Sequence, residues 1–463
     1  MSTSTHIITR TADQRSNRSL TSGRLGVNGP GLALLGILIL TASIGFENRL
    51  PALTLGITLQ APDVLLVGLL GWIWIQWLFV PGFRLVRTPL DLPMLIFFAV
   101  TLFSTLIAII QGSVDVDLAI QNTRVFSYYL TFFVVTNLVK EPRQLSFLLN
   151  GIFLLATFVA VAMIAQYMLG DWVGLIQSQA PSSDVLFQGG AVRRILPPGQ
   201  SIVTVSCVAT CCILVMERFK PRALIRYVQC GLLGTALLIT LLRSLWAALI
   251  VALFVAAYLL RGSDKRRLIG WALSAVFPIV LVLLVVFAAP DLPVSRLVDE
   301  AWKKLSTVTP EAFTGGDASY NYRRIENDYA LAAILSHPVL GLGLGAPYRP
   351  ADPRLDTWEE LRGPNQRRTF IHNSHLGILL QSGLLGYLSF MWLSVAFLLR
   401  GRRNWRRIPN DRMRAVVLGF TLVHLVALMA APANSIFMMW SWVPVLGIVL
   451  GVNEVILRQV RSE

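Results

Sequence analysis

Residues 146–169 read SFLLNGIFLLATFVAVAMIAQYML and contain no charged side chain. A bilayer crossing needs about 20 apolar residues, so this stretch is long enough to span a membrane as a helix. The 463-residue chain has the same character throughout, with 55% hydrophobic and 14% charged residues, against about 45–50% and about 25% in soluble domains. This composition excludes a soluble multidomain enzyme and predicts an all-α polytopic membrane protein.

Comparable apolar stretches recur along the chain and predict about 12 transmembrane helices. They are centred in residues 30–46, 62–80, 90–111, 122–139, 146–169, 200–216, 223–241, 244–260, 268–289, 371–399, 413–432 and 436–456. The predicted organisation is a disordered cytoplasmic tail at 1–28, spans 1–9 within 29–289, a large loop at 290–370, spans 10–12 within 371–456, and a short cytoplasmic tail at 457–463. The first 28 residues are polar and basic and lack the pattern of a signal peptide.

The distribution of charge predicts the orientation, because cytoplasmic segments carry an excess of Lys and Arg. With both termini inside, the inner segments hold 25 of the 40 Lys and Arg residues. The outer segments are then nearly neutral. The net charge of +15 therefore reflects membrane orientation and does not indicate a nucleic-acid partner. The four cysteines lie in apolar stretches without zinc or disulfide spacing and are predicted to be packing residues.

This N-in/C-in topology places the loop at 290–370 outside, and a loop of that length is usually functional or disordered. Residues 329–336 have helical composition and precede His337-Pro338, which would end a helix. We therefore expect a partly helical loop between spans 9 and 10. A second outer segment, 170–199, carries Arg193 and Arg194 and is a candidate substrate-binding segment.

Three groups of polar residues border the predicted outer face. Arg243 is flanked by apolar residues where span 7 turns into span 8, and a charge in such a position is a functional candidate or an interfacial side chain that reaches the headgroups. Arg323 and Arg324 precede Glu326 in the loop, where a solvated ion pair is the simpler alternative. Glycines 341, 343 and 345 follow a proline, and we expect them to let the backbone pass close to a ligand or a neighbouring helix.

The third group begins span 10, where His372 and His375 are three residues apart and so share a helical face. As a zinc pair they lack an obvious third ligand, and HExxH is absent. A histidine is well suited to accept a proton near neutral pH. Asp115 and Asp117 form a D-x-D in a short outer loop, which could bind a metal but is more often simply solvated.

In order along the chain, these groups resemble the O-antigen ligase and polysaccharide polymerase superfamily of bacterial inner-membrane proteins. The resemblance covers about residues 200–400. Its motifs are Thr240-Leu241-Leu242-Arg243-Ser244-Leu245-Trp246-Ala247; Arg323 followed by His337-Pro338 and the Gly341-x-Gly343-x-Gly345 turn; and His372-Asn373-Ser374-His375-Leu376 with the downstream Gly383-Leu384-Leu385-Gly386. The doublet Arg323-Arg324 leaves open which arginine would bind phosphate.

The resemblance implies glycosyl transfer on the periplasmic side of the inner membrane. The donor would be an undecaprenyl-pyrophosphate-linked glycan, and the acceptor a hydroxyl of lipid A–core or of a growing glycan. Arg243 and Arg323 would hold the pyrophosphate and His372 would be the general base, with Arg324, Asn373 and His375 binding substrate or orienting neighbours. Family members invert the anomeric centre, and we expect a metal-independent enzyme that needs no cofactor.

Two sister activities fit this pattern, namely an O-antigen ligase of lipopolysaccharide biosynthesis and a polymerase of O-antigen or exopolysaccharide biosynthesis. The rival from another class is a 12-span transporter or lipid-linked oligosaccharide flippase without catalysis. A transporter is expected to have polar residues at mid-membrane and related halves. This chain instead has them at the outer surface of its second half.

Overall fold

The protein is described from a computed structural model that places residues 29–44, 53–54, 58–169, 195–217, 223–274, 318–355 and 368–462. Within these ranges it is almost entirely helical. The helices are α1 (Gly29–Ile44), α2 (Ala61–Phe79), α3 (Asp91–Ile110), α4 (Val116–Ser127), α5 (Thr131–Leu138), α6 (Pro142–Leu169), α7 (Gln200–Met216), α8 (Ala223–Ile239), α9 (Arg243–Leu259), α10 (262–274), α11 (Ala318–Ser336), α12 (Ser374–Asn404), α13 (Asp411–Ala430) and α14 (Val443–Ser462). Two antiparallel two-residue strands, β1 (Leu53–Thr54) and β2 (Thr58–Leu59), precede α2.

The described helices confirm a polytopic helical membrane protein. Six are long and apolar enough to cross a bilayer: Ala61–Phe79, Asp91–Ile110, Pro142–Leu169, Ser374–Arg407, Asp411–Ala433 and Val443–Val460. Four more apolar helices, α1, α7, α8 and α9, have 16 or 17 residues. The count of 12 crossings and the orientation remain predictions, and the tail at 1–28 and most of the ninth predicted span lie outside the described residues.

Two predicted spans differ from the observed helices. The fourth, predicted at 122–139, is divided into α4 and α5 by a 3-10 turn at Tyr128–Leu130. The twelfth, predicted to start at 436, begins as the regular helix α14 only at Val443. The two altered regions are in contact through Thr131. Its hydroxyl donates to the Tyr128 carbonyl at 2.8 Å and to the Pro444 carbonyl at 3.0 Å. This hydroxyl joins the divided helix to the start of α14.

Helices α13 and α14 form the centre of the bundle, with most of their residues buried. Gly419 of α13 allows close approach to α7, since a Cβ at this glycine would lie 2.7 Å from the Cα of Ala209. The helices of this core are apolar on nearly every side, as expected for helices enclosed by other membrane helices. The outer helices instead expose large apolar side chains such as Leu154 and Phe254.

The two ends of the bundle differ in chemistry. At one end, Arg400 of α12 makes two 2.7 Å hydrogen bonds to Glu454 of α14, and Arg458 donates to the carbonyls of Thr136 and Val139. The basic C-terminal part of α12 and the start of α13 lie at this end. We call it the basic end. The starts of α9 and α12 and the end of α13 lie at the opposite end, where the candidate site is found.

Candidate functional site

His372 is paired with a buried carboxylate. Its Nδ1 lies 2.8 Å from Oε2 of Glu326 on α11, and its backbone nitrogen lies 3.3 Å from the same oxygen. A carboxylate can only accept these hydrogen bonds, so Nδ1 carries the proton in the neutral ring and Nε2 has the basic lone pair. Asn373, the next residue, caps α12 by accepting hydrogen bonds from the backbone of His375 and Leu376. Glu326 thus holds the imidazole through Nδ1, and the cap fixes the start of α12 beside it.

The surroundings of this pair exclude water from the carboxylate and leave the imidazole accessible. The Glu326 side chain is 1% exposed and that of His372 is 21% exposed. The rings of Tyr322 and Phe370 meet the imidazole edge to face, with centroids 5.7 and 5.0 Å away. Among the described residues, the second oxygen of Glu326, Oε1, has no hydrogen-bond partner. The charge of Glu326 is thus directed at His372.

The two loop arginines point in different directions. Arg323 is half-buried and lies three residues before Glu326, close to the face of α11 that meets His372. Arg324 is exposed, and Asp328, four residues later, is exposed on the same face. Glu326 of the predicted ion-pair cluster contacts His372. The two arginines of the doublet thus differ in burial.

Arg243 is the first residue of α9, directly after a tight turn. Leu241 in this turn has a φ of +51°, and the Leu237 carbonyl accepts hydrogen bonds from the Thr240 hydroxyl and the Trp246 indole nitrogen. The turn reverses the chain between α8 and α9 at the site end of the bundle. It holds the half-buried Arg243 side chain at that surface.

A chain of hydrogen bonds links Ser244, the residue after Arg243, to Ser374, which lies two residues after His372. The Asn434 amide, just after α13, donates to the Ser244 hydroxyl at 2.7 Å. The Asn434 carbonyl accepts from the Ser374 hydroxyl at 2.8 Å. Ser244, Asn434 and Ser374 thus join the starts of α9 and α12 through the end of α13, with Asn434 accepting through its backbone carbonyl. Arg243 is next to one end of this chain of hydrogen bonds and His372 is two residues from the other, although the two residues are far apart in the sequence.

The glycine-rich turn after α11 fits into a break in α12. Gly383 has φ +61°, outside the helical region, and a Cβ there would lie 2.3 Å from the Val339 carbonyl. The turn and the helix exchange backbone hydrogen bonds at the break: Leu342 to Leu380 (2.6 Å), Gly343 to Gln381 (3.1 Å), Leu384 to Pro338 (2.8 Å) and Leu385 to Val339 (3.3 Å), each named donor first. The glycines thus allow close approach to a neighbouring helix, the second of the two expectations above. They attach α11 to α12.

The His375 side chain makes hydrogen bonds within the helix bundle. Its Nε2 lies 3.1 Å from the Leu428 carbonyl, so this nitrogen carries the proton, and its Nδ1 accepts from the Tyr387 hydroxyl at 3.2 Å. One ring nitrogen therefore bonds to α13, and the other bonds to a later turn of α12 itself. The Asn373 carbonyl oxygen is likewise used as the helix cap. Both residues thus have structural hydrogen bonds, and the substrate contacts expected of them stay a prediction.

Two residues of the site were not predicted as functional residues. The sequence suggested Glu326 only as an ion-pair partner of a loop arginine, because a sequence does not show that the carboxylate is buried against His372. Asn434 carries no sequence signal, since its partner Ser244 lies 190 residues away. Arg193 and Arg194 lie outside the described residues.

The D-x-D pair has a local structural role. Asp115 caps α4 by accepting a hydrogen bond from the backbone nitrogen of Asp117 at 2.8 Å. The side chain of Asp117 is exposed. In the described part of the chain, no group of three or more His, Cys, Asp or Glu residues has the arrangement of a metal site.

A second carboxylate fixes the segment that follows the glycine turn. The Arg354 guanidinium hydrogen-bonds to Asp352, with 2.7 Å between Nη2 and Oδ2, and the Tyr329 hydroxyl of α11 donates to the same oxygen at 3.0 Å. These contacts, led by the Arg354 hydrogen bonds, hold the pKa of the buried Asp352 carboxyl well below its ordinary value. Asp352 thus joins α11 to this segment as a carboxylate.

Residues 229–391 match the Wzy_C family model, described as O-antigen ligase. The match includes Arg243, α11, the glycine turn and His372. It confirms the resemblance to the O-antigen ligase-like superfamily. No curated protein matches the chain. The family indicates a ligase- or polymerase-type, glycosyltransferase-like activity of a multi-pass bacterial membrane protein on lipid-linked glycan and acceptor substrates.

Proposed function

We propose that this chain, which contains an O-antigen ligase domain at residues 229–391, transfers a glycan from an undecaprenyl-pyrophosphate-linked donor to an acceptor hydroxyl. The observation that carries the proposal is the buried Glu326 carboxylate 2.8 Å from Nδ1 of an accessible histidine. In the neutral ring this pairing puts the proton on Nδ1 and the lone pair on Nε2 of His372, the nitrogen that can accept a proton. A transporter or flippase would not need a histidine prepared in this way.

The transfer step follows from this arrangement. The acceptor hydroxyl gives its proton to Nε2 of His372 as its oxygen bonds to the anomeric carbon of the donor. The bond from that carbon to the pyrophosphate oxygen breaks, and the electron pair leaves with the lipid pyrophosphate. Direct displacement inverts the anomeric centre. Glu326 does not touch the substrate; it positions His372 and stabilises the imidazolium that forms.

Arg243 and Arg323 are proposed to hold the leaving pyrophosphate. A guanidinium is permanently charged and matches phosphate oxygens with two parallel hydrogen bonds. Arg323 is supported by its place three residues before Glu326, whereas Arg324 is exposed on another face. Arg243 is supported by its link to the start of α12 through Ser244 and Asn434. Two arginines supply the positive charge that a divalent ion supplies in other transferases.

The side of the membrane is proposed from the two ends of the bundle. The basic end is opposite the candidate site, and excess Lys and Arg marks the cytoplasmic side. This supports an N-in/C-in chain in the bacterial inner membrane with the site facing the periplasm. A cysteine introduced at Gly316 should then react with an impermeant thiol reagent added from outside, and labelling only after permeabilisation would refute the orientation.

Complementation tests the proposed function. Wild-type protein and the variants Arg243→Ala, Arg323→Ala and His372→Ala are expressed in a ligase-null and in a polymerase-null strain. We expect wild type to restore one activity and the three variants to lose it at equal protein levels. Arg324→Ala is the matched control and should retain it. Retention by all three site variants would refute the site, and rescue of one strain alone would identify the acceptor as lipid A–core or a growing glycan.

Metal independence has its own test. Activity in membranes should persist in EDTA and in the Asp115→Asn variant, whose side chain still has an oxygen that can cap α4. Loss of activity in EDTA that Mg²⁺ or Mn²⁺ restores would refute the role given to the arginines.

A further inference from the structure

The 20 residues at 329–348 contain no Asp, Glu, Lys or Arg, although the residues on either side are charged. They comprise the second half of α11 and the glycine-rich turn. An uncharged run of this length is unusual for a loop in water. Its position relative to α12 gives the reason.

Helix α11 runs alongside the first part of α12 and in the same direction. Glu326 contacts His372 near the start of α12, and Pro338 accepts the hydrogen bond of Leu384 further along it. Each segment advances 12 residues between these two contacts. At 1.5 Å per helical residue, this corresponds to about 18 Å. The chain then turns and returns, because Gly343 packs on Thr105 near the end of α3 and Gly345 on Leu118 near the start of α4.

The part of the turn that lies farthest from the site end, at Pro338 and Val339, lies within the thickness of a bilayer. Arg400 marks the basic end of α12, and Leu384 precedes it by 16 residues. Sixteen helical residues cover about 24 Å, which is less than the hydrocarbon thickness of about 30 Å. Leu384, Leu385 and the Val339 carbonyl bonded to Leu385 are therefore several ångströms inside the hydrocarbon on the site's side.

The exposed side chains change character along α11 at this depth. The polar residues Arg324 and Asp328 are exposed near the middle of the helix. Further along, Leu331, Leu335 and Val339 are 49%, 79% and 55% exposed. This apolar surface continues directly onto α12, where Leu384, Leu385 and Leu388 are about half exposed. An exposed apolar patch continuous with a membrane-crossing helix fits a lipid environment.

The backbone of the turn satisfies the requirement for a non-helical chain at this depth. Unpaired backbone groups are too costly in hydrocarbon, so irregular segments occur there only where protein supplies their hydrogen bonds. The four hydrogen bonds exchanged at the Gly383 break supply much of this pairing for the turn and for α12 together. The Thr105 hydroxyl of α3 also accepts from the Leu344 nitrogen at 3.0 Å.

From these observations we infer that residues 329–343 form a re-entrant segment. Its exposed face, Leu331, Leu335 and Val339, contacts the hydrocarbon of the leaflet on the site's side. The segment enters the bilayer from the site end, turns near Pro338 and leaves along α12. Glu326 and His372 then lie above it, at the level of the headgroups. This inference does not depend on the proposed reaction.

Site-directed spin labelling of the full chain in lipid nanodiscs tests the inference. The four native cysteines are replaced by alanine, and single cysteines are introduced as Leu331→Cys, Leu335→Cys or Val339→Cys. Arg324→Cys and Asp328→Cys on the polar part of α11 are the matched controls, and Leu388→Cys on α12 is the lipid reference. Collision rates with oxygen, which partitions into lipid, and with a nickel chelate, which stays in water, are measured for each label.

We expect the oxygen-to-nickel collision ratio at Leu335 and Val339 to match that at Leu388 and to exceed that at Asp328 several-fold. Equal nickel access at Leu335 and Asp328 would refute contact with lipid and place the turn in water. Low access to both reagents would also refute it, because protein, such as a second copy of the chain, would then cover this face. Each label lies on an exposed side chain, and Leu331 provides a second reading if one variant does not fold.

Discussion

Replacement of Glu326 is the most direct test of how the candidate site works. The carboxylate is 1% exposed, and its Oε2 accepts hydrogen bonds from Nδ1 of His372 at 2.8 Å and from the His372 backbone at 3.3 Å. Glu326→Ala removes the acceptor. Glu326→Gln keeps the shape and an acceptor oxygen but removes the charge. The two variants therefore separate the position of His372 from the stabilisation of its charged form.

The expected losses follow from the strength of this contact. A hydrogen bond to a charged group contributes about 1.5–3 kcal/mol, and a charge-assisted bond is about twice as strong as a neutral one. If the whole free energy of this hydrogen bond stabilises the charged imidazolium in the transition state, Glu326→Ala lowers kcat about 10- to 100-fold. Glu326→Gln loses about half of the free energy and lowers kcat about 3- to 10-fold. KM changes little in Glu326→Gln, since Glu326 does not touch substrate.

The assay is glycan transfer by purified protein in lipid, with donor and acceptor varied separately. Asp328→Ala is the control, because this exposed side chain lies two residues away on the same helix. Activities of both Glu326 variants within twofold of wild type, with His372→Ala inactive, would refute the role of Glu326 and leave His372 as the base. Activity of His372→Ala itself would refute the proposed site.

Three further outcomes are expected. Gly383→Ala should destabilise the purified protein by at least about 1 kcal/mol, because its positive φ with an extended ψ is essentially restricted to glycine, and so lower its Tm. Gly151→Ala, whose Cβ would have no neighbour within 4 Å, should not lower the Tm in this way. Arg323→Lys should lower kcat/KM while Arg324→Lys leaves it unchanged, because only a guanidinium at the buried face can bind phosphate through two parallel hydrogen bonds; equal losses in the transfer assay would contradict this. For Asp352→Asn, the Tm difference from wild type should be constant above about pH 5 and shrink as the pH falls below about 4, since a carboxyl with a lowered pKa stabilises the fold only while ionised; a difference that persists in acid would refute this.

The helices of the fold were largely predictable from hydrophobic stretches. Residues 146–169 fall within α6, and residues 200–216 are α7. The division of the fourth predicted span at Tyr128 was not predictable, because apolar composition does not report the Thr131 hydrogen bond to Pro444. An apolar stretch in the sequence indicates that a segment is stable in lipid. It does not indicate how that segment packs against another helix.

The site was predictable in its parts but not in its connections. Arg243, Arg323 and His372 are conspicuous because charged and titratable groups are rare beside apolar runs. Their relation depends on Glu326 and Asn434, whose roles arise only from contacts between distant segments. The cap formed by Asn373 and the hydrogen bond from His375 to the Leu428 carbonyl likewise appear only in the tertiary structure.

By itself, the sequence determined the class of this protein, a helical membrane protein with its functional candidates at one surface, because apolar composition and the scarcity of charge act residue by residue. Only the tertiary structure decided which carboxylate meets His372, that Arg323 is half-buried while Arg324 is exposed, and that the glycine turn enters a break in α12. Those outcomes depend on burial and on backbone hydrogen bonds between segments far apart in the chain, and such interactions have no local signature.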